Sequence, residues 1–180
     1  MDKISFQPIA RTDFKLVGQW LATPHVARWW HADPSLHAIE AEYGGCIDGT
    51  EPSEMFVAHN NSAPIGLIQR YRFDAYPQYI TELAHIMAVP NDAFSIDYFI
   101  GPVDALRQGQ GGAMIQAFAH KLWLDNPAAA CIIVPTHARN RASWRALERA
   151  GFRPIASRAL APDNPADDMN HVLYQLDRPG

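Results

Sequence analysis

The chain has 180 residues, of which 48% are hydrophobic and 19% charged, with a formal net charge of −4. This length and balance predict a single globular domain over residues 1–180 with a sizeable core. The acidic balance argues against a nucleic-acid binder, which needs a basic face, and suits a cationic small molecule better. No apolar stretch reaches the length of a membrane span or forms a signal peptide, so we expect a cytoplasmic protein with no membrane partner.

Hydrophobic periodicity predicts strands and helices through the first half of the chain. The predicted elements are a strand over 3–9, helices over 11–22 and 34–45, and the two strands of a hairpin over 54–59 and 64–73. Thr12 or Asp13 is expected to be the N-cap of the first helix. Gly44 and Gly45 are expected to end the second helix.

The second half predicts a strand–helix–strand unit followed by a helix and two strands. Residues 74–92 show no clear pattern beyond one or two helical turns. The later elements are a strand over 93–101, a helix with an apolar stripe at Met114, Ile115, Phe118 and Leu122, a strand over 128–134, a helix over 141–152 with Gly151 as its C′ residue, and strands over 152–160 and 169–177. The strand–helix–strand unit implies a parallel pair and the hairpins imply antiparallel pairs, so the fold class is a mixed α/β sheet.

The stretch "RQGQGGAMIQ" over 107–116 joins the strand of 93–101 to the next helix. A Walker loop is excluded because no Gly-Lys-Ser/Thr follows, and a dinucleotide fingerprint is excluded because Met114 stands where a third glycine is needed. Two interpretations remain. The stretch is a plain turn, or it is a glycine-rich turn whose backbone N–H groups bind an anion at a helix N-terminus.

Two motifs in this region resemble those of the GNAT N-acetyltransferase superfamily. Gln108, Gly111 and Ala113 fit its pyrophosphate signature Gln/Arg-x-x-Gly-x-Gly/Ala, and "NRASWRALERAGF" over 140–152 resembles its second landmark. The resemblance implies a mostly antiparallel sheet flanked by helices, with a parallel pair splayed at the CoA site, and acetyl-CoA as co-substrate. The residues that it assigns to the cofactor are Phe99, Ile100, Gln108, Gly109, Gln110, Gly111, Gly112, Ala113 and Asn140.

Within that superfamily the chain resembles the aminoglycoside 6′-N-acetyltransferases over most of its length. The stretches "HVARWW" (25–30), "PIGLIQRY" (64–71) and "SIDYFIGPVDALRQGQG" (95–111) occur in the same order. The resemblance implies acetylation of the 6′-amine of aminoglycoside antibiotics by direct attack in a ternary complex. The related siderophore-type lysine acetyltransferases usually carry a His where this chain has Asp97.

Asp97 is a carboxylate inside an apolar strand, which is costly to bury without partners. It either faces outward or has a function, and the resemblance implies the general base that deprotonates the attacking amine. The backbone N–H of Phe99 is then the expected oxyanion donor. Leu147 stands where many GNAT enzymes have a tyrosine acid, and Pro135 stands where the subfamily has an acidic residue.

Five residues are candidates for contact with the cationic acceptor. Trp30, Tyr43, Glu51 and Gln69 match substrate-contact positions of the subfamily, and Asp74 is a further candidate in the following loop. Trp30 could equally be a core residue, and Tyr43 and Glu51 could be surface residues.

The sequence also bears on metal binding, on the oligomeric state and on alternative functions. The chain contains eight histidines and two cysteines without the spacing of a zinc site or a disulfide framework, so no metal is expected. Cys131 is expected to be buried, and the protein is expected to be a monomer or homodimer. The alternatives are acetylation of another amine, such as a siderophore precursor or polyamine, and a non-catalytic CoA-binding domain.

Overall fold

The structure is a computed structural model that describes residues 3–162 and 167–180. In that part of the chain it contains seven strands and six α-helices. The strands are β1 (Ile4–Pro8), β2 (Glu54–Asn60), β3 (Ala63–Arg72), β4 (Ala93–Ile100), β5 (Cys131–His137), β6 (Arg153–Ala159) and β7 (Asn170–Asp177). The helices are α1 (Phe14–Leu21), α2 (Pro24–Trp30), α3 (Leu36–Asp48), α4 (Pro77–Leu83), α5 (Gln110–Asp125) and α6 (Arg141–Arg149).

The strands are hydrogen-bonded in the order β1-β2-β3-β4-β5-β7-β6. β1 with β2, β5 with β7, and β6 with β7 are antiparallel, whereas β4 and β5 are parallel. The parallel ladder is short, because its register joins only Ala93 with Cys131 and Phe94 with Ile132. The predicted mixed α/β class with one parallel pair is confirmed.

The β2–β3 hairpin turns on two residues with left-handed backbone angles. Asn61 has φ of 48° and Ser62 has φ of 73°. Positive φ at both central residues is the type I′ geometry, whose twist matches that of the flanking strands. The predicted hairpin is therefore confirmed, and its strand boundaries agree to within one residue.

Contacts divide the chain into two compact units, each made of two chain segments. The first unit runs up to Gln69 and resumes over Asp97–Gly111. Its core packs apolar side chains of α1, α2 and α3 against those of β2, β3 and β4. The fully buried members of this core with an exposed fraction of at most 3% are Val17, Leu21, Val26, Ile39, Tyr43, Met55, Val57 and Leu67.

The second unit comprises Arg70–Ile96 and Gly112–Gly180. One of its cores contains Phe73, Leu83, Ala93, Cys131, Ile133, Leu160 and Leu173. The predicted stripe of α5 is fully buried, and so is Cys131, as expected. Burial raises the pKa of the Cys131 thiol to about 11, so this cysteine is an inert hydrophobic residue rather than a nucleophile.

Asp13 is the N-cap residue of α1, as predicted, and residues 11–13 form a short 3-10 turn that leads into this helix. The Asp13 side chain makes no capping hydrogen bond to α1. The Asp13 carboxylate instead accepts a hydrogen bond of 2.9 Å from the N–H of Ala10, one turn earlier. A residue three positions into a helical turn often satisfies the first donor in this way.

The prediction that Gly44 and Gly45 end the second helix is wrong. α3 continues to Asp48 and ends at Gly49, which has φ of 70°. A Cβ at Gly44 would lie 2.6 Å from the Glu40 carboxylate and one at Gly45 would lie 2.6 Å from Cγ of Glu51, and both are flexible side chains that can move aside. The helix ends instead at the residue with left-handed backbone angles, as is usual for a glycine at a helix C-terminus.

Two other elements differ from the sequence-based expectation. The fifth strand spans Cys131–His137 rather than 128–134, because the preceding alanines close a turn in which Ala129 N–H donates to Asn126 O at 3.0 Å. α2 was not predicted. The seven residues of α4 agree with the one or two helical turns expected within residues 74–92. Gly151, with φ of 94°, follows α6 as predicted. No helix among residues 3–162 and 167–180 is long and apolar enough to span a bilayer.

Candidate functional site

Asp97 and Gln69 meet on neighbouring strands of the first unit. The Gln69 Nε2 donates a hydrogen bond of 2.7 Å to Asp97 Oδ2. Asp97 is half-buried, so it is not the fully outward-facing residue of a half-exposed strand. A hydrogen bond to a carboxylate is charge-assisted, and it fixes the orientation of the group as well as lowering its energy.

Trp30 and Tyr43 form a second pair in the same unit. The indole Nε1 of Trp30 donates to the Tyr43 hydroxyl at 2.8 Å, which ties the end of α2 to the middle of α3. Tyr43 is only 3% exposed, so it is not the surface residue that the sequence also allowed. Trp30 packs partly buried against the core and makes this polar contact as well.

Burial of the Tyr43 hydroxyl raises its pKa to about 12, and the Trp30 hydrogen bond acts in the opposite direction. The acidic groups of Glu42, Cys46 and Asp97 add smaller increases. Tyr43 is therefore neutral at physiological pH and lies within the electrostatic reach of Asp97. We refer to Trp30, Tyr43, Gln69 and Asp97 together as the Asp97 group. It joins one negative charge to two aromatic side chains, which is a chemistry suited to a cationic ligand.

The end of β4 carries Phe99 and Ile100, two of the predicted cofactor residues. The Phe99 ring packs edge to face against Trp30 at 4.9 Å and against Trp20 at 6.2 Å. The carbonyl of Ile100 accepts a hydrogen bond of 2.8 Å from Nε2 of His25. The sequence indicated no role for His25, because its partner is a main-chain oxygen 75 residues away and leaves no side-chain signal.

The glycine-rich stretch forms a turn before α5. Arg107 and Gly109 have φ of 62° and 79°, and the side-chain amide of Gln108 donates to the carbonyl of Asp104 at 2.6 Å. Gln110 begins α5, and its buried Oε1 has no hydrogen-bond partner within the described chain. Because the first N–H groups of a helix lack intrahelical acceptors, this turn has the donors that an anion needs.

Gly112 and Ala113 lie in the first turn of α5, within the second unit. Gly112 is buried, and a Cβ there would lie 2.9 Å from Cβ of Arg149 in α6. Glycine at this position therefore lets α5 and α6 approach closely. Ala113 is exposed.

Asn140 is the N-cap of α6. Its Oδ1 accepts a hydrogen bond of 3.2 Å from the N–H of Ser143, so its side-chain oxygen holds the helix start. Leu147, on the same helix, is fully buried and has no proton to donate. Pro135 lies in β5 opposite Leu173 of β7.

Two predicted acceptor-binding residues, Glu51 and Asp74, have partners that do not belong to the Asp97 group. Glu51 is exposed on the turn after α3, where its N–H donates to the carbonyl of Gly45 at 3.2 Å. Asp74 belongs to the second unit and pairs with Arg72 at 2.6 Å. The hydrogen bond from Arg72 holds the pKa of Asp74 below its usual value, so the charge of Asp74 is already engaged.

The histidines among the described residues do not gather into a metal site. Within residues 3–162 and 167–180, no group of three or more His, Cys, Asp or Glu side chains could hold a metal ion. The buried His137 accepts from the N–H of Arg139 at 3.2 Å and faces the carbonyl of Asp168 at 3.0 Å. Both ring nitrogens of His137 are thus used to hold the turn that precedes α6.

Comparison with protein families gives one match over most of the chain. A model of the acetyltransferase (GNAT) domain family matches residues 10–160. No protein among the curated sequences matches the chain.

Comparison with solved structures gives several similar folds. The aminoglycoside acetyltransferase AAC(6')-Ib in complex with coenzyme A has a TM-score of 0.80 at 21% identity, covering 98% of this chain and 95% of that one. The aminoglycoside N(6')acetyltransferase from Legionella pneumophila has a TM-score of 0.71 at 18% identity, covering 98% and 93%. The ribosomal alpha-N-protein acetyltransferase RimL, in complex with coenzyme A, has a TM-score of 0.73 at 14% identity, covering 97% and 93%. These likenesses establish a shared fold.

Proposed function

The chain belongs to the GNAT acetyltransferase family, and we propose that it transfers the acetyl group of acetyl-CoA to the 6′-amine of an aminoglycoside. The observation that supports this proposal most strongly is the Asp97 group, in which an oriented carboxylate lies within electrostatic reach of Tyr43, and Tyr43 is bonded to Trp30. Structures similar to this fold were solved with coenzyme A and kanamycin bound, which makes both ligands reasonable first choices. The net charge of −4 also favours a cationic acceptor.

Asp97 is proposed to be the general base. An alkyl amine is mostly protonated near neutral pH, and an ammonium nitrogen has no lone pair with which to attack a carbonyl. Asp97 would accept one proton from the ammonium, after which the neutral amine attacks the thioester carbon. The N–H of Phe99 would stabilise the oxyanion as the new C–N bond forms.

Collapse of that oxyanion breaks the C–S bond and releases a thiolate that needs one proton. Leu147 cannot supply this proton, because its side chain is apolar and buried. The nitrogen of the tetrahedral intermediate carries one proton more than the amide product. We propose that water relays this proton to the thiolate, whose pKa of about 8.5 lets it accept one. The absence of a tyrosine at this position is therefore compatible with turnover.

The proposed cofactor contacts of the first unit are the end of β4 and the turn before α5. The backbone of Phe99 and Ile100 would pair with the amides of the CoA arm in the manner of an added strand. The turn from Gln108 to Ala113 would hold the pyrophosphate, and its left-handed angles and the first N–H groups of α5 fit an anion. The side chain of Asn140 would contact the CoA arm.

The proposed acceptor contacts begin with the Asp97 group. The rings of Trp30 and Tyr43 would line the acceptor, and Gln69 would contact it while holding Asp97. Glu51 and Asp74 are proposed as further contacts for the outer amines of a polyamino sugar, and for Asp74 this requires its ion pair with Arg72 to open.

The proposal is tested by following thiol release from acetyl-CoA in the presence of kanamycin or tobramycin. Asp97→Asn should lower kcat by about 100-fold or more, as expected for loss of a general base. Asp33→Asn is the matched control, because Asp33 accepts from the N–H of Ser35 and asparagine can accept in the same way. Full activity of Asp97→Asn at neutral pH would refute the base assignment.

The same assay separates the alternative functions. The protein could acetylate a hydroxylysine-type siderophore precursor or a polyamine and none of the aminoglycosides that have a free 6′-amine. That result would show that the protein is an acetyltransferase whose acceptor is another amine. Binding of acetyl-CoA without turnover on any amine would indicate a non-catalytic CoA-binding domain, for which the buried Leu147 is the supporting feature.

A further inference from the structure

Three consecutive residues at the end of β4 and just after it, Phe99 to Gly101, each contact a different residue of α1 or α2. The Phe99 ring meets the Trp30 ring at 4.9 Å, and the Ile100 carbonyl accepts from His25 at 2.8 Å. The next residue, Gly101, lies directly beneath the indole of Trp20, since a Cβ there would overlap that ring.

One peptide plane at this strand end is fixed on both sides. The Ile100 carbonyl and the Gly101 N–H belong to the same planar peptide unit and point in opposite directions. His25 Nε2 bonds the oxygen at 2.8 Å, and the N–H donates to the carbonyl of Ile65 in β3 at 3.0 Å. A plane held at both ends cannot rotate, so the angles of the residues on either side are fixed as well.

The chemistry of the bond defines which atom of the imidazole carries a hydrogen. A carbonyl oxygen only accepts, so Nε2 of His25 must be the donor. His25 lies in the first turn of α2, which begins after Thr23, and the Thr23 Oγ1 donates to the carbonyl of Trp20 at 2.6 Å. The histidine is thus presented by a rigid corner and contacts backbone rather than a side chain.

We propose that His25 is a positioning residue for the cofactor. The C=O and N–H of the Ile100–Gly101 peptide are engaged by His25 and Ile65, and holding this peptide fixes the preceding backbone groups of Phe99 and Ile100 where the amides of the CoA arm need them. This inference rests on the proposed function, because it assumes that Phe99 and Ile100 pair with CoA. His25 does not contact the acceptor in this scheme, so its effect falls on the cofactor.

The test is the affinity for CoA, measured by titration calorimetry without any acceptor. His25→Leu removes the hydrogen-bond donor. His25→Asn keeps a polar side chain, but that side chain is too short for its amide to reach the carbonyl of Ile100. Both should weaken CoA binding by about three- to ten-fold, the usual range for one hydrogen bond. His25→Gln places its amide nitrogen near the position of Nε2 and should bind CoA to within about two-fold of the wild type.

His37→Leu is the matched control, because His37 is exposed on α3 in the same unit. Amide hydrogen exchange at Gly101 should become faster in His25→Asn and not in His25→Gln. In His25→Asn, KM for acetyl-CoA should also rise more than kcat falls.

If His25→Leu does not fold, the comparison of His25→Asn with His25→Gln tests the inference. Equal CoA affinity in wild type and His25→Asn, or no rescue by Gln, would overturn the inference. Failure of the wild-type protein to bind CoA would instead refute the proposed function.

Discussion

At the scale of single residues, the hydrogen bond between Gln69 and Asp97 determines how a carboxylate is presented. One oxygen of Asp97 accepts from Gln69 at 2.7 Å, so the carboxylate orientation depends on a neutral side chain of the adjacent strand. A donor on one oxygen of a carboxylate fixes the direction in which the whole group faces.

Gln69→Leu is therefore expected to lower kcat/KM for acetyl transfer by about ten-fold, because Asp97 loses the donor that orients it. The measurement is kcat/KM on the best acceptor. Gln69→Glu is the informative companion, because an ionised carboxylate has no hydrogen to donate to Asp97 and should cost at least as much. Wild-type kcat/KM in both variants would contradict a role for Gln69 in holding Asp97.

Tyr43 gives a prediction about stability at alkaline pH. Its folded pKa of about 12 exceeds the value of about 10 for an exposed tyrosine, so its contribution is complete below pH 10 and is lost as pH rises towards 12. Between pH 8 and pH 11, Tyr43→Phe should lose less stability than the wild type, by about 1.4 kcal/mol. Urea unfolding at pH 8 and pH 11 measures the difference, and the other tyrosines cancel in the comparison. Parallel losses in both proteins would show that Tyr43 ionises as freely as an exposed phenol.

The residues of the Asp97 group were predicted from family resemblance, but their contacts were not. Trp30 and Tyr43 are 13 positions apart and Gln69 and Asp97 are 28 apart, and nothing in the spacing says which atoms meet. His25 shows the limit most clearly. A side chain that bonds a main-chain oxygen has no complementary residue in the sequence, so only the folded backbone reveals it.

At the scale of elements, the approach of β3 to β4 depends on one glycine. A Cβ on Gly66 would overlap the carbonyl oxygen of Phe99 and lie 3.2 Å from Cα of Ile100. Both obstacles are backbone atoms, which cannot rotate aside as a flexible side chain can. The strands can therefore be this close only where β3 has no side chain.

Gly66→Ala is expected to destabilise the protein by about 2–3 kcal/mol, because the two strands must move apart. Urea unfolding followed by circular dichroism gives the free energy. Gly49→Asn is the matched control, since Gly49 has φ of 70° and open space around it, and asparagine tolerates that conformation. A loss below about 0.5 kcal/mol for Gly66→Ala would show that the strands adjust without cost.

In the second unit, β3 is tied to α5 by a buried cation. Arg70 is 5% exposed and contacts Asp125 at 2.7 Å, and Lys121 contacts the same oxygen at 2.9 Å. Burial alone would raise the pKa of Asp125, but the hydrogen bonds from Lys121 and Arg70 outweigh it and hold the pKa below its usual value.

Asp125→Asn should therefore cost about 1–3 kcal/mol at pH 7. Because the folded pKa of Asp125 is depressed, the contribution is complete above about pH 3.9 and is lost as pH falls below it, so the difference from wild type should shrink at pH 3. Unfolding by urea at both pH values provides the test. Asp177→Asn, which removes an exposed pair with Arg153, should cost less than about 1 kcal/mol. A difference that stays constant with pH would contradict the assignment.

Strand and helix positions were largely predictable because the apolar periodicity of α5, β3 and β4 is strong. The predictions that were wrong or missing have local causes. α2 has seven residues, too few for a periodic pattern, and it begins with a proline that also marks turns. Gly44 and Gly45 resemble a helix end, yet they lie inside α3, and Gly49, with φ of 70°, ends the helix.

At the scale of the whole molecule, cofactor binding should be visible as stability. A ligand that binds only the folded state at 100 times its dissociation constant adds about 2.7 kcal/mol, which corresponds to a rise in Tm of about 5–10 °C for a chain of this size. Thermal unfolding with acetyl-CoA measures this rise, and adenosine is a control that lacks the pyrophosphate. An unchanged Tm at millimolar acetyl-CoA would contradict cofactor binding.

The chain passes between its two compact units three times, at residues 69–70, 96–97 and 111–112. Each passage falls inside a regular element, namely β3, β4 and α5, and none falls in a loop. A genetic exchange that replaced one unit with that of a relative would have to cut two strands and a helix in mid-element. The sequence on both sides of each cut would need to match, so we expect these units to be inherited together, and libraries that shuffle this fold should place their crossovers at the loops around residues 61 and 126 instead.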